Sequence, residues 1–399
     1  MTEWRVPLAD VTIGSEELSA VSDVLRSGWL SMGPVTEAFE THFAASLGVK
    51  HAIAVTNGTA ALHLAHTVLG AGPGDAVICP SLTFVATANA IRYTGARPVF
   101  ADIASTGDLN ISAAAIAAKI DASTKGICVV HYGGHPCDMT AIMQLAQAHG
   151  LYVVEDAAHA PGAACHMPGL REYGRDDSAA LYPCGTIGDV GCFSFFANKN
   201  MTTGEGGMVT TNDDALAARL RRLRSHGMTS LTWDRHHGHS ASYDVVDWGY
   251  NYRIDELRSA LGLAQLQRLQ ADNRKRAEIA HAYTAQLQHL SAFELPFHPS
   301  PTAPPSRSSF HLYPVLLKDA STRAQFRSFM HRQGVQTSIH YPAIHRFSRY
   351  QEIAAEVHLP LTDEVAQRVV TLPLYAGMQP EQHADVLQAI HQWHALRAA

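Results

Sequence analysis

The chain has no run of eighteen apolar residues, so no membrane-spanning helix is expected. It has no surplus of positive charge: 30 Lys and Arg stand against 36 Asp and Glu, a formal net charge of −6. A nucleic-acid surface wants a basic stripe. The one dense basic stretch, Arg219 to Arg224, falls on a predicted helix and reads as a solvated or interface face, so nucleic acid is not expected as a partner. Cysteine is scarce. The six present are scattered and form no Cys-x-x-Cys pair, which points to free thiols in the cytoplasm rather than a disulfide framework. The first residues, Met1-Thr2-Glu3-Trp4-Arg5, lack the basic start and apolar run of a secretory signal. There is no internal repeat and no low-complexity tract. Gly70-Ala71-Gly72-Pro73-Gly74 is not a dinucleotide fingerprint, because it contains proline, has the wrong spacing and follows a predicted helix.

What is present is a chain of 399 residues, long enough for more than one domain, with ordinary apolar (46%) and charged (17%) fractions. Over the first 250 residues short apolar runs alternate with helical patterns. Strands are predicted at His51–Val55, Ala76–Cys79, Pro98–Ala101, Gly126–Val130 and Leu151–Val154. Helices are predicted over Glu37–Ala45, Ala60–Leu69, Phe84–Tyr93 and Thr140–His149. This repetition implies an α/β domain with a mainly parallel sheet, in which ligands sit beyond the carboxyl ends of strands. The pattern then changes. A long helical region covers Ile254–Leu290, and Pro299–Ser309 reads as a linker or surface loop. A strand over Leu312–Leu317 and helices over Thr322–Gly334 and Gln379–Arg397 form a smaller α/β unit. The expected division is 1–250 and 251–399.

The 24 histidines are unusual, with clusters at His236, His237 and His239 and at His340 and His345. The first cluster has no cysteine nearby and only Asp234 as a close acid. Cys165, His166, Cys184 and Cys192 likewise fit no common zinc spacing, so no metal is expected.

Three segments carry chemistry. In Phe193-Ser194-Phe195-Phe196-Ala197-Asn198-Lys199, followed by Thr202-Thr203-Gly204-Glu205-Gly206-Gly207, a lysine sits between aromatic residues and a small-residue turn. An amine there can form a Schiff base with an aldehyde once its pKa is depressed, and apolar neighbours depress it. The Ser194 hydroxyl is placed to hold a phosphate. In Val153-Val154-Glu155-Asp156-Ala157-Ala158-His159 a carboxylate ends a predicted strand, placed to face a ligand crevice, to cap a helix, or both. In Val55-Thr56-Asn57-Gly58-Thr59-Ala60 a strand, a glycine and a hydroxyl residue open a helix, an arrangement that favours an anion.

Thr56–Leu64, Pro80–Ala90, Glu155–Ala160, Asn198–Gly207 and Gly249–Arg253, in this order, resemble the DegT/StrS family of sugar aminotransferases. The resemblance runs from about Pro7 to the end of the chain. It implies the fold-type-I architecture of pyridoxal-phosphate-dependent aminotransferases, with a large domain on a mainly parallel sheet and a smaller C-terminal α/β domain. It implies pyridoxal 5'-phosphate, with Lys199 as its covalent anchor and proton shuttle and Asp156 paired to the pyridine nitrogen. His159 would stand near the ring oxygen, where the family often has glutamine. Gly58, Thr59 and Ser194 would bind the phosphate, Phe84 would stack on the ring, and Asn251 would reach the phosphate of a neighbouring subunit in a homodimer with shared active sites. His340-Tyr341-Pro342-Ala343-Ile344-His345 resembles a segment near the sugar, which makes His340, Tyr341 and His345 candidate substrate residues. The implied reaction takes an amino group from an amino acid, glutamate first, and delivers it to a keto group of a nucleotide-linked sugar. Alternatives are a keto-cyclitol acceptor, a sugar dehydratase and a regulator that binds the cofactor without turnover. Relatives that dehydrate carry histidine at the lysine position, and Lys199 is present. Cys165–Gly188 and Thr229–Asp247 are longer than is usual in the family. They are either surface insertions or part of the substrate entrance.

Overall fold

The computed structural model describes residues 4–167, 181–230, 233, 242–298, 306–354 and 357–398. His236, His237 and His239 lie outside the described residues, as do most of Pro299–Ser309 and the middle of both long spans.

The strands, in chain order, are β1 (His51–Val55), β2 (Ala76–Pro80), β3 (Arg97–Ala101), β4 (Thr124–Val130), β5 (Tyr152–Asp156), β6 (Ala164–Cys165), β7 (Tyr182–Pro183), β8 (Val190–Ser194) and β9 (Gly207–Thr211). Seven of them form the central sheet in the order β1-β9-β8-β5-β4-β2-β3. Pairing is parallel from β8 through β5, β4 and β2 to β3, and β9 runs antiparallel to both β8 and β1. The near-continuous apolar character of these strands follows from cover on both faces: every residue of β2 and β9 is buried. One consequence of the order is that the carboxyl ends of β1, β2, β4, β5 and β8 and the amino end of β9 share one edge.

The predicted strands and helices are all present, with shifted bounds. The helix expected from Phe84 begins at Ala86, because the chain bends after β2 and leaves Phe84 in the turn, 57% exposed. The Arg219–Arg224 stretch is not simply a solvated face. Arg224 is buried, ion-paired with Glu40, and donates to the Ala54 carbonyl at 2.8 Å.

A second core surrounds the antiparallel sheet of β10 (Phe293–Glu294), β12 (Tyr313–Leu317) and β13 (Val369–Leu372), with β11 (Ser306–Arg307) pairing instead with β6. Val6, Tyr283 and Leu287 join this second core. Ile344, Tyr350 and Leu359 pack into the core of the central sheet.

The helix Glu256–Leu287 links the parts, packing along Ser15–Ser27 and Pro34–Leu47. Its first residue also completes another helix. Pro34–Leu47 starts at Gly33, which has no side chain to cap it. The buried Glu256 carboxylate accepts instead from Gly33 N, Val35 N and Thr36 N, each at 2.8 Å, and from Thr36 Oγ1 at 2.7 Å. A carboxylate there satisfies free N–H groups and the helix dipole together. Glu256→Ala should cost about 3 kcal/mol and lower the midpoint of thermal unfolding, with Glu256→Gln intermediate. An unchanged midpoint in the alanine variant would reject this account.

Candidate active site

Asp156 ends β5 and is buried. Its Oδ2 accepts from the Thr87 hydroxyl at 2.8 Å and its Oδ1 from Ala158 N at 3.2 Å. Burial raises its pKa, outweighing Thr87, Ala158 and the nearby Lys199 cation. Such a carboxylate is short of positive charge, and a cationic donor placed against it would be stabilised.

Lys199 lies in the loop between β8 and β9 and is half-buried as a residue. Burial of its amine lowers the pKa to about 8, against the pull of Asp156. Its Nζ is 3.5 Å from Nε2 of His311.

His159 is buried, and both ring nitrogens are engaged. Gly133 N donates to Nδ1 at 3.3 Å. In a neutral ring the hydrogen is therefore on Nε2, 3.0 Å from the Tyr341 hydroxyl. Burial, then the charge of Lys199, pushes the His159 pKa well below the usual range, so the ring is neutral. Tyr341 stacks on His159 with centroids 5.9 Å apart and planes 11° apart. Phe84 stands 6.2 Å from Tyr341 and is 57% exposed.

His340 bonds Thr371 Oγ1 through Nδ1 at 3.0 Å, and its carbonyl accepts from the Tyr132 hydroxyl. Burial lowers its pKa to about 4. His345 does not join this group. Its Nδ1 is 2.7 Å from Ser81 Oγ and its Nε2 is 3.2 Å from Asp363, so both ring nitrogens are turned into the protein. His345 is 2% exposed.

Gly58, Thr59 and Ser194 meet where β1, β8 and β9 converge. Val55 and Ser194 both register with Gly207. Asn57 caps the helix Gly58–Val68 by accepting from Ala60 N, which leaves the Gly58 and Thr59 N–H groups uncommitted. A Cβ on Gly58 would stand 2.7 Å from Ser194 Cβ, and one on Gly207 would stand 2.6 Å from the Asn57 carbonyl. The glycines thus keep open a small cradle of N–H and hydroxyl donors at a helix start, which fits a phosphate. With Asp156, Lys199 and Phe84, the residues present fit pyridoxal phosphate. Asn251 is exposed, and no hydrogen bond joins its side chain to this cradle among the described residues. Its neighbour Tyr252 accepts from Thr56 N at 2.9 Å.

The sequence reading missed Thr87, Asn200 and His311. Thr87 sits one helical turn past Phe84, a spacing that a search for partners of Asp156 would reveal. Nothing local marks His311, which is 112 residues from Lys199.

Residues 11–391 match the DegT/DnrJ/EryC1/StrS aminotransferase family. The spore coat polysaccharide biosynthesis protein SpsC of Bacillus subtilis (strain 168) is 40% identical over 393 residues, 96% of each chain. Among solved structures, the aminotransferase TlmJ from Streptoalloteichus hindustanus superposes with a TM-score of 0.87 at 35% identity, covering 100% of both chains. DesV of S. venezuelae, solved in complex with a ketimine intermediate, gives a TM-score of 0.86 at 34% identity, covering 98% of this chain and 99% of its own.

Gly58→Ala should weaken pyridoxal phosphate binding about tenfold or more, about 1.4 kcal/mol, in equilibrium dialysis, and should also lower the thermal midpoint through the overlap with Ser194. Wild-type affinity in that variant would reject the cradle.

Proposed function

The chain belongs to the DegT/DnrJ/EryC1/StrS aminotransferase family and is a pyridoxal-phosphate-dependent aminotransferase; from that premise we propose that it transfers an amino group from an amino acid, glutamate first, to a keto group of a nucleotide-linked sugar. The observation that carries the reading is the meeting of a buried carboxylate, Asp156, with a lysine of lowered pKa, Lys199, at the sheet edge that also holds the glycine cradle.

Each residue then has a task. Lys199 would anchor the cofactor, and its Nζ would carry a proton between the substrate carbon that bears the amino group and the cofactor carbon. Asp156 pairs with the ring nitrogen and keeps it protonated. Gly58, Thr59 and Ser194 would hold the phosphate, Phe84 would cover one ring face, and His159 would stand near the ring oxygen. When bound, the cofactor supplies an electron sink for the carbanion. His340 and Tyr341 are assigned to the sugar side. The sugar acceptor is supported by the role of SpsC in spore coat polysaccharide biosynthesis and by that of the similar Helicobacter pylori aminotransferase PseC in pseudoaminic acid biosynthesis.

The same reading makes the enzyme a homodimer with Asn251 reaching the partner's phosphate. Support comes from the exposed apolar side chains just before it: Val245 at 52%, Val246 at 56% and Trp248 at 92%. We divide the chain into a cofactor-binding domain, 1–250, and a C-terminal domain, 251–399, with the helix Glu256–Leu287 packed against both. A cytoplasmic location is supported by six buried free thiols. No helix among the described residues is long and apolar enough to cross a membrane.

Borohydride reduction of the holoenzyme followed by peptide mass spectrometry should place the cofactor on Lys199, and label on another lysine would overturn the assignment. Asp156→Ala should lower kcat about a hundredfold, about 2.7 kcal/mol, with a smaller effect on folding. Unchanged turnover rejects its role. Trp248→Asp should shift sedimentation from dimer toward monomer. An unshifted dimer would move the interface elsewhere.

A further inference from the structure

The Lys199 amine lies at the end of a chain of hydrogen bonds that runs through His311, Asn200 and Asn273. Nζ lies 3.5 Å from His311 Nε2, at the outer limit of a hydrogen bond. The other ring nitrogen, Nδ1, is 3.0 Å from Asn200 Oδ1. The Asn200 amide cannot be reversed. Its Nδ2 donates to the Ser309 carbonyl at 2.7 Å and to Asn273 Oδ1 at 2.8 Å. A carbonyl only accepts, so the nitrogen must face Ser309 and the oxygen must face His311. Asn273 is fixed in turn, because its Nδ2 donates to the Pro161 carbonyl at 2.9 Å. Asn200 and His311 are 7% and 5% exposed, so the network is sheltered from bulk water.

These bonds decide the tautomer. With Asn200 Oδ1 as acceptor, His311 Nδ1 carries the hydrogen. The neutral ring then presents its Nε2 lone pair to Lys199. We propose that His311, held in this tautomer by Asn200, is a positioning residue for Lys199: its Nε2 accepts a hydrogen bond from Nζ and holds the amine for its work. In the neutral amine, one N–H bound to His311 turns the Nζ lone pair away from that ring. The proposal rests on the reading of Lys199 as the cofactor anchor.

The surrounding charges agree with an acceptor that is not itself a cation. Burial, then Lys199, His159, Arg276 and His340, drives the His311 pKa well below its usual value. His159 and His340 are held neutral in the same way. The Tyr341 hydroxyl is likewise kept protonated by burial. Asp156 is the group on this side that attracts the ammonium. His311 also lies 4.5 Å from His159, centroid to centroid, so a shift of one ring is felt by the other.

The test uses the full chain freed of cofactor, so that it reads the amine and not turnover. Nitrogen-15 NMR of the histidine side chains, with the His311 signal identified by its loss in His311→Gln, should show hydrogen on Nδ1 and none on Nε2 at pH 7. Hydrogen on Nε2, or a doubly protonated ring, would overturn the proposal. Trace acetylation across the pH range, read on the Lys199 peptide, should titrate near pH 8 in the wild type. An acceptor favours the ammonium, so in His311→Leu the midpoint should fall by about half a pH unit. His311→Gln, whose amide can donate to Asn200 and accept from Lys199, should titrate like the wild type. A leucine variant that titrates like the wild type, or a folded glutamine variant that behaves like leucine, would sink the idea. Failure of the anchor assignment itself would appear separately, as borohydride label on another lysine.

Discussion

The site depends on the alternation of two adjacent carboxylates at the end of β5. Successive side chains of a strand point to opposite faces, so Glu155 and Asp156 are sent in different directions. Glu155 is fully buried and accepts from Gly185 N at 2.7 Å, Ile187 N at 2.6 Å, Gly188 N at 2.7 Å and His131 Nε2 at 2.9 Å. Burial opposes its charge, yet His131 and the backbone N–H groups hold its pKa below the usual value. It is a satisfied anion that ties the approach to β8 down onto β5. Asp156 has fewer donors and keeps a raised pKa. One carboxylate is spent on the fold, and the other is left needing a cation.

The same economy of charge runs through the rest of the site. His159, His311 and His340 crowd near one lysine, and burial keeps all three neutral. Neutral rings can orient an amine through lone pairs and N–H groups without adding repulsion. Charged rings would destabilise both the ammonium and any cationic ring nitrogen beside Asp156. A dry setting makes each remaining polar contact count for more.

The C-terminal third of the chain supplies much of this. Ser309 donates to the His159 carbonyl at 2.7 Å, His311 meets Lys199, and Tyr341 meets His159. The central sheet thus presents the groups suited to the cofactor, and segments around the second sheet set their orientation.

The sequence by itself determined the strand–helix alternation and the edge at which a ligand would sit, and it marked Lys199, Asp156, Gly58, Thr59 and Ser194 as candidates. Those are local signals: apolar runs, glycine turns and a carboxylate at a strand end. The tertiary structure alone decided that Thr87 and Asn200 act as partners, that His311 faces the lysine, and that His345 is turned into the protein by Ser81 and Asp363. It also decided that Arg224 is a buried ion-pair partner and that Glu256 caps a helix more than two hundred residues away in sequence. The physical reason is common to all of these. A side chain's hydrogen-bond partner depends on which elements pack together, and packing across long sequence separations leaves no periodicity or spacing to read.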